Sequence, residues 1–417
     1  METNWKRNIA LFLGGQALTL FGSMVVQYAI LWHITLKTQS GTMMTVFAVA
    51  GFIPMFFISP FGGVWADRFN RKYIINIADG SIALASLAVA AFLFFGIDHT
   101  GILLACAVAR SLGQGVQNPA VGAFIPQIVP QEHLTRVNGI QGSIQSGAML
   151  AAPLASGALM NFAALETLFL LDVVTAAAGI GVLAFLVHSP GPAQAGAARS
   201  EPGPERTPEQ SGPQGIGYFR DLKEGIRYVG RHSFILRLIV LSVAFFIAVS
   251  PTAFLTTLQV SRDFGREVWR LTVIETAFLG GMIAGGLTVS LWGGFKNRMY
   301  TMALSTALCG IEAVGLGLAP HFWLYTAVMA LMGFTMPFYN TPVMTILQTR
   351  VEPAYMGRVL AVFNMTASIM MPAGMLFFGP LADVAAIDHL LIVTGVVIVL
   401  LSVPFVGSKT LRTAGAL

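Results

Sequence analysis

Gly62-Gly63-Val64-Trp65-Ala66-Asp67-Arg68-Phe69-Asn70-Arg71-Lys72 sets four charged side chains between two long apolar runs, residues 42–66 and 73–96. Each run exceeds the ~20 residues that a helix needs to cross the hydrocarbon core of a bilayer. The charged segment therefore reads as a tight turn at a membrane face. Ten further runs of the same kind can be marked outward from it, at about 9–36, 100–122, 139–163, 166–187, 234–258, 268–292, 299–318, 321–345, 358–381 and 389–407. A backbone in hydrocarbon must satisfy its own hydrogen bonds, which favours helices for runs of this length. The expected fold is an all-α membrane protein with twelve transmembrane helices.

Composition agrees. Hydrophobic residues make up 55% of the 417-residue chain and charged residues 10%, against roughly 25% charged in a soluble domain. The net charge of +5 does not point to nucleic acid, because the Lys and Arg residues sit in short segments between apolar runs. With the N-terminus in the cytoplasm, Arg110 lies within a helix and only Lys37, Arg262, Arg266 and Arg270 fall outside; the rest of the basic residues are cytoplasmic. This asymmetry places both termini in the cytoplasm, and a multi-pass protein of the inner (plasma) membrane is expected. Cys106 and Cys309 lie within apolar runs, so neither a disulfide framework nor a metal site is expected. The first apolar run follows Lys6 and Arg7 without a small-residue cleavage site and reads as a retained helix.

Between the sixth and seventh runs, Ser189 to Gly215 is rich in Pro, Gly, Ala, Ser and Glu and reads as a disordered linker. Phe219, Leu222, Ile226 and Val229 follow at helical spacing with Arg220, Lys223, Arg227 and Arg231 between them, the pattern of a basic amphipathic helix on an anionic leaflet. The expected organisation is thus a bundle over 1–188, a linker with this helix over 189–233, and a second bundle over 234–417. Two features recur across the linker. Trp65 to Arg71 pairs with Trp292 to Arg298, and Pro119 and Pro130 pair with Pro342 and Pro353. Duplicated halves are common in transporters, so two pseudo-symmetric six-helix bundles are expected.

The opening segment resembles the signature loop of the major facilitator superfamily: glycine, then Asp-Arg, then a basic pair, between the second and third helices. Asn70 stands where that family usually has glycine, and asparagine tolerates a left-handed backbone better than most residues. The resemblance implies a conformational latch built from Gly63, Asp67, Arg68, Arg71 and Lys72, with Asp67 accepting hydrogen bonds from the positive end of a helix beginning near Gly357. The second-half loop has Gly294 opposite Asp67 and no acid, so the latch should be asymmetric. Ser111-Leu112-Gly113, Pro119-Ala120, the segment Ile128 to Thr135 and Gly357-Arg358-Val359-Leu360 resemble the macrolide-efflux-like branch. Gly147 to Gly157 is similar to the exporter motif of the fifth helix.

Three polar stripes mark a wet interior. Arg110, Gln114 and Gln117 lie along one face of the fourth helix, Asn138, Gln141 and Gln145 along the fifth, and Gln16, Thr19, Ser23 and Gln27 along the first. A lone glutamine in a membrane helix is commonly interhelical glue, but three stripes on bundle helices favour a shared cavity. Arg110 cannot shed its proton and must face a cavity or a carboxylate; in the family a basic residue here serves coupling or substrate contact. Asn340 and Asn364, beside Met336, Met344, Met370, Met371 and Met375, extend the candidate substrate contacts into the second half, since flexible methionine surfaces suit bulky ligands of varied shape. Asp79, Asp172, Glu275 and Glu312 are the intramembrane acids and the candidate proton carriers; Asp79 and Asp172 are also possible partners for Arg110 or for helix ends.

No nucleotide-binding loop, zinc-type spacing or nucleophile–base pair has a supporting context, so neither an enzyme nor a cofactor is expected. The sequence reads as a monomeric exporter of hydrophobic or amphipathic small molecules of the macrolide or multidrug type, working by proton antiport. The alternatives are export of a native metabolite, siderophore or lysolipid, and a non-transporting sensor or scaffold.

Overall fold

A computed structural model describes residues 2–187, 214–353 and 355–415. Every element in them is a helix: α1 (Glu2–Thr38), α2 (Gly41–Arg68), α3 (Arg71–Phe94), α4 (Thr100–Ile128), α5 (Leu134–Phe162), α6 (Leu165–Gly181), α7 (Gln214–Arg231), α8 (Ser233–Phe254), α9 (Thr256–Asp263), α10 (Val268–Trp292), α11 (Arg298–Leu318), α12 (Phe322–Thr335), α13 (Pro337–Arg350), α14 (Met356–Val384), α15 (Ile387–Gly407) and α16 (Lys409–Gly415). Ten helical stretches are long and apolar enough to cross a membrane: α1, α2, α3, α6 with the π-turn Val182–Leu186, α8 with α9, α10, α11, α12 with α13, α14 and α15. The two long helices outside that set, α4 and α5 with 29 residues each, are those whose polar stripes lower their hydropathy. With them the spans number twelve among the described residues.

Two of the expected single runs are broken. The span over 234–258 divides at Leu255, whose N–H bonds Pro251 O at 2.8 Å, and the span over 321–345 divides ahead of Pro337. Proline lacks the N–H that would continue the ladder.

The chain separates into two compact units, Met1–Leu31 with Val46–Gly215 and Trp32–Thr45 with Ile216–Leu417. The second therefore takes in the end of α1 and the start of α2, which the sequence reading assigned to the first bundle. Of the linker expected over Ser189 to Gly215, residues 189–213 lie outside the described residues, and 214 and 215 already belong to α7. Helix α7 is formed, and its described face packs on protein: Glu224 pairs with Arg358 at 3.1 Å, Tyr228 stacks on Tyr355, and a side chain at Gly225 would press on the Arg358 carbonyl. Lys223, Ile226, Arg227 and Arg231 stay exposed.

Asp383 explains how 32–45 is held in the second unit. The first N–H groups of a helix have no intrahelical acceptor, and those opening α2 are capped by this side chain from α14. Gly41 N and Thr42 N donate to its oxygens at 2.6 and 3.0 Å, and the Ser40 hydroxyl donates at 2.8 Å. Gln39 precedes them with φ 50°, an uncommon conformation for a residue with a Cβ. Its carbonyl accepts from Arg262 at 2.5 Å, and Arg262 also donates to Ala382 O at 2.8 Å. Hydrogen bonds to a charged group are worth about 1.5–3 kcal/mol. Asp383→Ala should lower the melting temperature of the purified protein, while Asp388→Ala in the same unit leaves α2 capped; equal loss in both would refute the capping role.

The internal repeat is visible in local geometry. Asn70 caps α3 by accepting from Lys72 N at 3.1 Å, and Asn297 caps α11 by accepting from Met299 N at 3.0 Å. Arg71 Nε donates to Ala66 O at 2.9 Å, and the Arg298 guanidinium donates to Gly293 O. Asn70 has φ −65° and ψ 114°, so it is not left-handed as the sequence reading allowed. It replaces the family's glycine as an N-cap, a role in which asparagine excels. In the second loop Gly293 and Gly294 take the positive φ values, 72° and 80°.

Candidate functional site

Within the first unit, α1, α4 and α5 enclose a cavity of about 380 Å³ lined by Leu13, Gln16, Thr19, Leu20, Ser23, Met24, Gln27, Gln114, Gln117, Asn118, Val121, Gln141, Ile144 and Gln145. All six glutamines that the sequence singled out are here, because each stripe occupies one helical face and the three faces meet. Asn118 was not singled out, although it lies four residues from Gln114 on the same face. The lining has no charged side chain. It offers amides and hydroxyls, which both donate and accept, beside a minority of apolar side chains.

Behind the cavity sits a buried ionic cluster. Arg110, 1% exposed, does not line the cavity: its guanidinium is paired with Asp172, which is fully buried. Arg110 also donates to Ser86 Oγ at 2.6 Å and to Ser23 O at 3.0 Å, while Ser23 and Ser86 hydroxyls donate to Asp172 at 3.1 and 2.7 Å. Of the two roles the sequence left open, a carboxylate partner is the one observed. The physical reason is desolvation, since an unpaired guanidinium in this interior is costly. Ser86, on α3 among small residues, gave no sequence signal.

Asp79 on α3 is 1% exposed. It accepts a hydrogen bond from Gln117, a member of the cavity lining. No cation pairs with it among the described residues.

The remaining candidates belong to the second unit. Glu312 on α11 is 3% exposed; it accepts from Thr335 Oγ1 at 2.7 Å, and its other oxygen has no hydrogen-bond partner. Glu275 on α10 is half-buried, and Asn340 and Asn364 are exposed. None of these four lines the first-unit cavity.

The signature loop divides in two. Arg71 and Lys72 turn inward and tie the first unit together: Arg71 donates to Ala66 O and to Ala123 O at 2.7 Å on α4, and Lys72 Nζ donates to Ala184 O and Val187 O, both at 2.9 Å, at the end of the π-turn. The last carbonyls of a helix have no intrahelical donors, and the ammonium supplies one. Asp67 pairs with Arg71 at 3.4 Å and stays exposed, as does Arg68. Gly63 meets nothing where a Cβ would stand, whereas a Cβ at Gly62 would press on Gly115 O and Val116 Cα of α4 at 2.8 and 2.9 Å. The glycine demanded by packing is therefore Gly62.

The sequence model of the Major Facilitator Superfamily matches residues 12–375. Macrolide efflux protein A of Streptococcus pyogenes is 26% identical over 402 residues, covering 96% of this chain and 95% of that protein. The multidrug efflux pump Tap of Mycobacterium tuberculosis is 23% identical over 368 residues, covering 85% and 82%. Among solved structures, a bacterial homolog of the human lysosomal transporter Spinster superposes with a TM-score of 0.64 at 15% identity over 100% of this chain and 96% of that one. A D-xylose–proton symporter gives 0.65 at 14% identity over 97% and 99%.

Proposed function

We propose, given that this chain belongs to the Major Facilitator Superfamily, that it exports hydrophobic or amphipathic small molecules of the macrolide or multidrug type by proton antiport and alternating access. The observation that carries this reading is the cavity: nine polar groups from α1, α4 and α5 converge on an uncharged concave surface in the middle of three membrane helices. Isolated glue between helices has no need of such convergence. A few placed polar groups within a mixed lining are what a small-molecule site requires. The likeness to efflux proteins along most of the chain supports export as the direction and bulky apolar molecules as the ligand class.

In this reading the six cavity glutamines orient the substrate, and Arg110 keeps the cluster behind them in place through Asp172. Asn340 and Asn364 complete the substrate contacts in the opposite state. Asp67 and Arg68, exposed beside the inward-turned Arg71 and Lys72, form the part of the latch that changes partners between conformations. Glu275 and Glu312 remain proton carriers for the second half. The protein is a plasma-membrane monomer with both termini cytoplasmic.

Everted membrane vesicles energised with a proton gradient test the reading. They should accumulate erythromycin, and a protonophore should abolish the accumulation. Gln114→Leu and Gln141→Leu should each weaken half-saturation by about ten-fold, the loss of one to two buried hydrogen bonds. Gradient-independent accumulation, or none for any drug class in a pump-deficient host, would sink the proposal.

A further inference from the structure

Two buried acids touch the cavity lining: Asp172, through Ser23, is paired with Arg110, whereas Asp79 is bonded to the Gln117 amide, and the chemistry of that partner has a consequence. A carboxylate has no proton to give, so an amide bonded to it must present its NH2 group. Gln117 is bonded in this way. Its carbonyl oxygen is then the group left to a ligand. With Asp79 ionised, the amide is locked as an acceptor, and it favours a ligand that brings hydroxyl donors. With Asp79 protonated, the carboxylic acid itself donates, an amide oxygen is the natural partner, and the amide is no longer held with its oxygen free.

The geometry points to Asp79 as a coupling residue of the first unit: its ionisation state sets the hydrogen-bonding polarity of Gln117, so that proton binding at Asp79 opposes binding of a neutral, hydroxyl-bearing ligand in the first-unit cavity. This rests on the functional reading above and names its ligand class and its coupling group. An uncharged lining agrees with it, since a permanently cationic ligand would find no counter-charge there.

The charged groups facing Asp79 are few. Helix α4 brings Arg110 and the Cys106 thiol, and α6 brings Asp172; Arg110 and Asp172 are spent on one another. Asp172 is within electrostatic reach of Asp79. Glu166 stands in the first turn of α6, and the charges of α1, Lys6, Arg7 and Lys37, with His33, lie toward its ends. The π-turn Val182–Leu186 carries no titratable side chain. On α3 itself Arg71, Lys72 and Tyr73 occupy the first turn. Among the described residues no cation is therefore committed to Asp79, and a proton is the charge it can gain and lose. Linkage makes the coupling reciprocal: a ligand that prefers ionised Asp79 must expel its proton. Proton loss on ligand entry and ligand loss on proton entry together describe an antiporter.

The test uses the full-length protein in nanodiscs and erythronolide B, a macrolide aglycone with hydroxyls and no amine, so that any pH dependence belongs to the protein. Wild-type affinity should fall by about ten-fold or more as pH drops from mildly alkaline to mildly acidic, the worth of one to two buried hydrogen bonds. Asp79→Asn, which keeps the shape and cannot ionise, should bind with the same affinity at every pH, and Gln117→Leu should bind more weakly with a flattened profile. Infrared titration without ligand should show a neutral-carboxyl band that grows on acidification together with a shift of glutamine amide bands, both missing in Asp79→Asn. Retention of the pH dependence in Asp79→Asn, a flat wild-type profile, or an infrared carboxyl band unchanged by that substitution overturns the inference. So does a wild type that fails to bind the aglycone at any pH; if vesicle export of erythromycin persists in that case, the functional reading survives while the coupling assignment falls.

Discussion

Asp172→Ala should leave little folded protein. Its carboxylate is fully buried and is the counter-charge for a guanidinium that is 1% exposed. Removing one partner of a buried pair costs about 3–5 kcal/mol, because the other charge is left in low dielectric. That loss is a large share of the 5–15 kcal/mol that holds a typical domain together. Arg110→Ala should be comparably damaging, since it strands Asp172 with only the Ser23 and Ser86 hydroxyls. The informative variant is the double replacement Arg110→Met with Asp172→Leu. Apolar side chains of similar volume often substitute for a buried ion pair without loss, so the double variant should recover folded yield and melting temperature in detergent. If Arg110 met substrate directly, the double variant would fold and still bind no drug in the cavity; recovery of binding along with folding assigns the pair to structure.

Gly281→Val should break the second unit by a different mechanism. A Cβ at Gly281 would run into the Ala330 carbonyl, one at Gly285 into the Phe334 carbonyl, and one at Gly333 into the Phe278 carbonyl. Helices α10 and α12 thus cross backbone to backbone, each supplying the glycines that the other needs. Overpacking in a core costs typically 1–3 kcal/mol when side chains can yield. Here the obstacle is main chain, so about 3 kcal/mol or more is expected, read as a fall in melting temperature and in monodisperse yield. Gly280→Val is the internal control, because nothing stands within 4 Å of a Cβ there. Equal tolerance of both substitutions would show that the crossing is looser than described.

Much of this architecture was legible beforehand, and unevenly for physical reasons. Apolar runs of membrane length, the polar stripes on α1, α4 and α5, and the Trp65–Arg71 and Trp292–Arg298 pair are local periodicities, and each survives in the structure. The glutamines were legible as a set because amides have no purpose on a lipid-facing helix surface. The spacing of Arg110, Gln114 and Gln117 put the arginine on the glutamines' face without revealing that it turns to Asp172 and leaves the cavity to the amides. The signature loop was read as one device, whereas Arg71 and Lys72 are occupied by carbonyls of their own unit. Which carbonyls a cation finds depends on where α4 and α6 end in space.

The sequence by itself determined that this chain lives in a bilayer, that it repeats, and which helices carry polar faces, since burial in hydrocarbon and helical periodicity are properties of consecutive residues. Only the tertiary structure decided which face meets which: that Gln16 and Gln117, a hundred residues apart, line one cavity with Asp79 bonded to Gln117, that Asp172 neutralises Arg110, and that Asp383 caps α2 from the far end of the chain. These are pairings between segments distant in sequence. A hydrogen bond reaches about 3 Å, so such pairings exist only once the helices have been brought together.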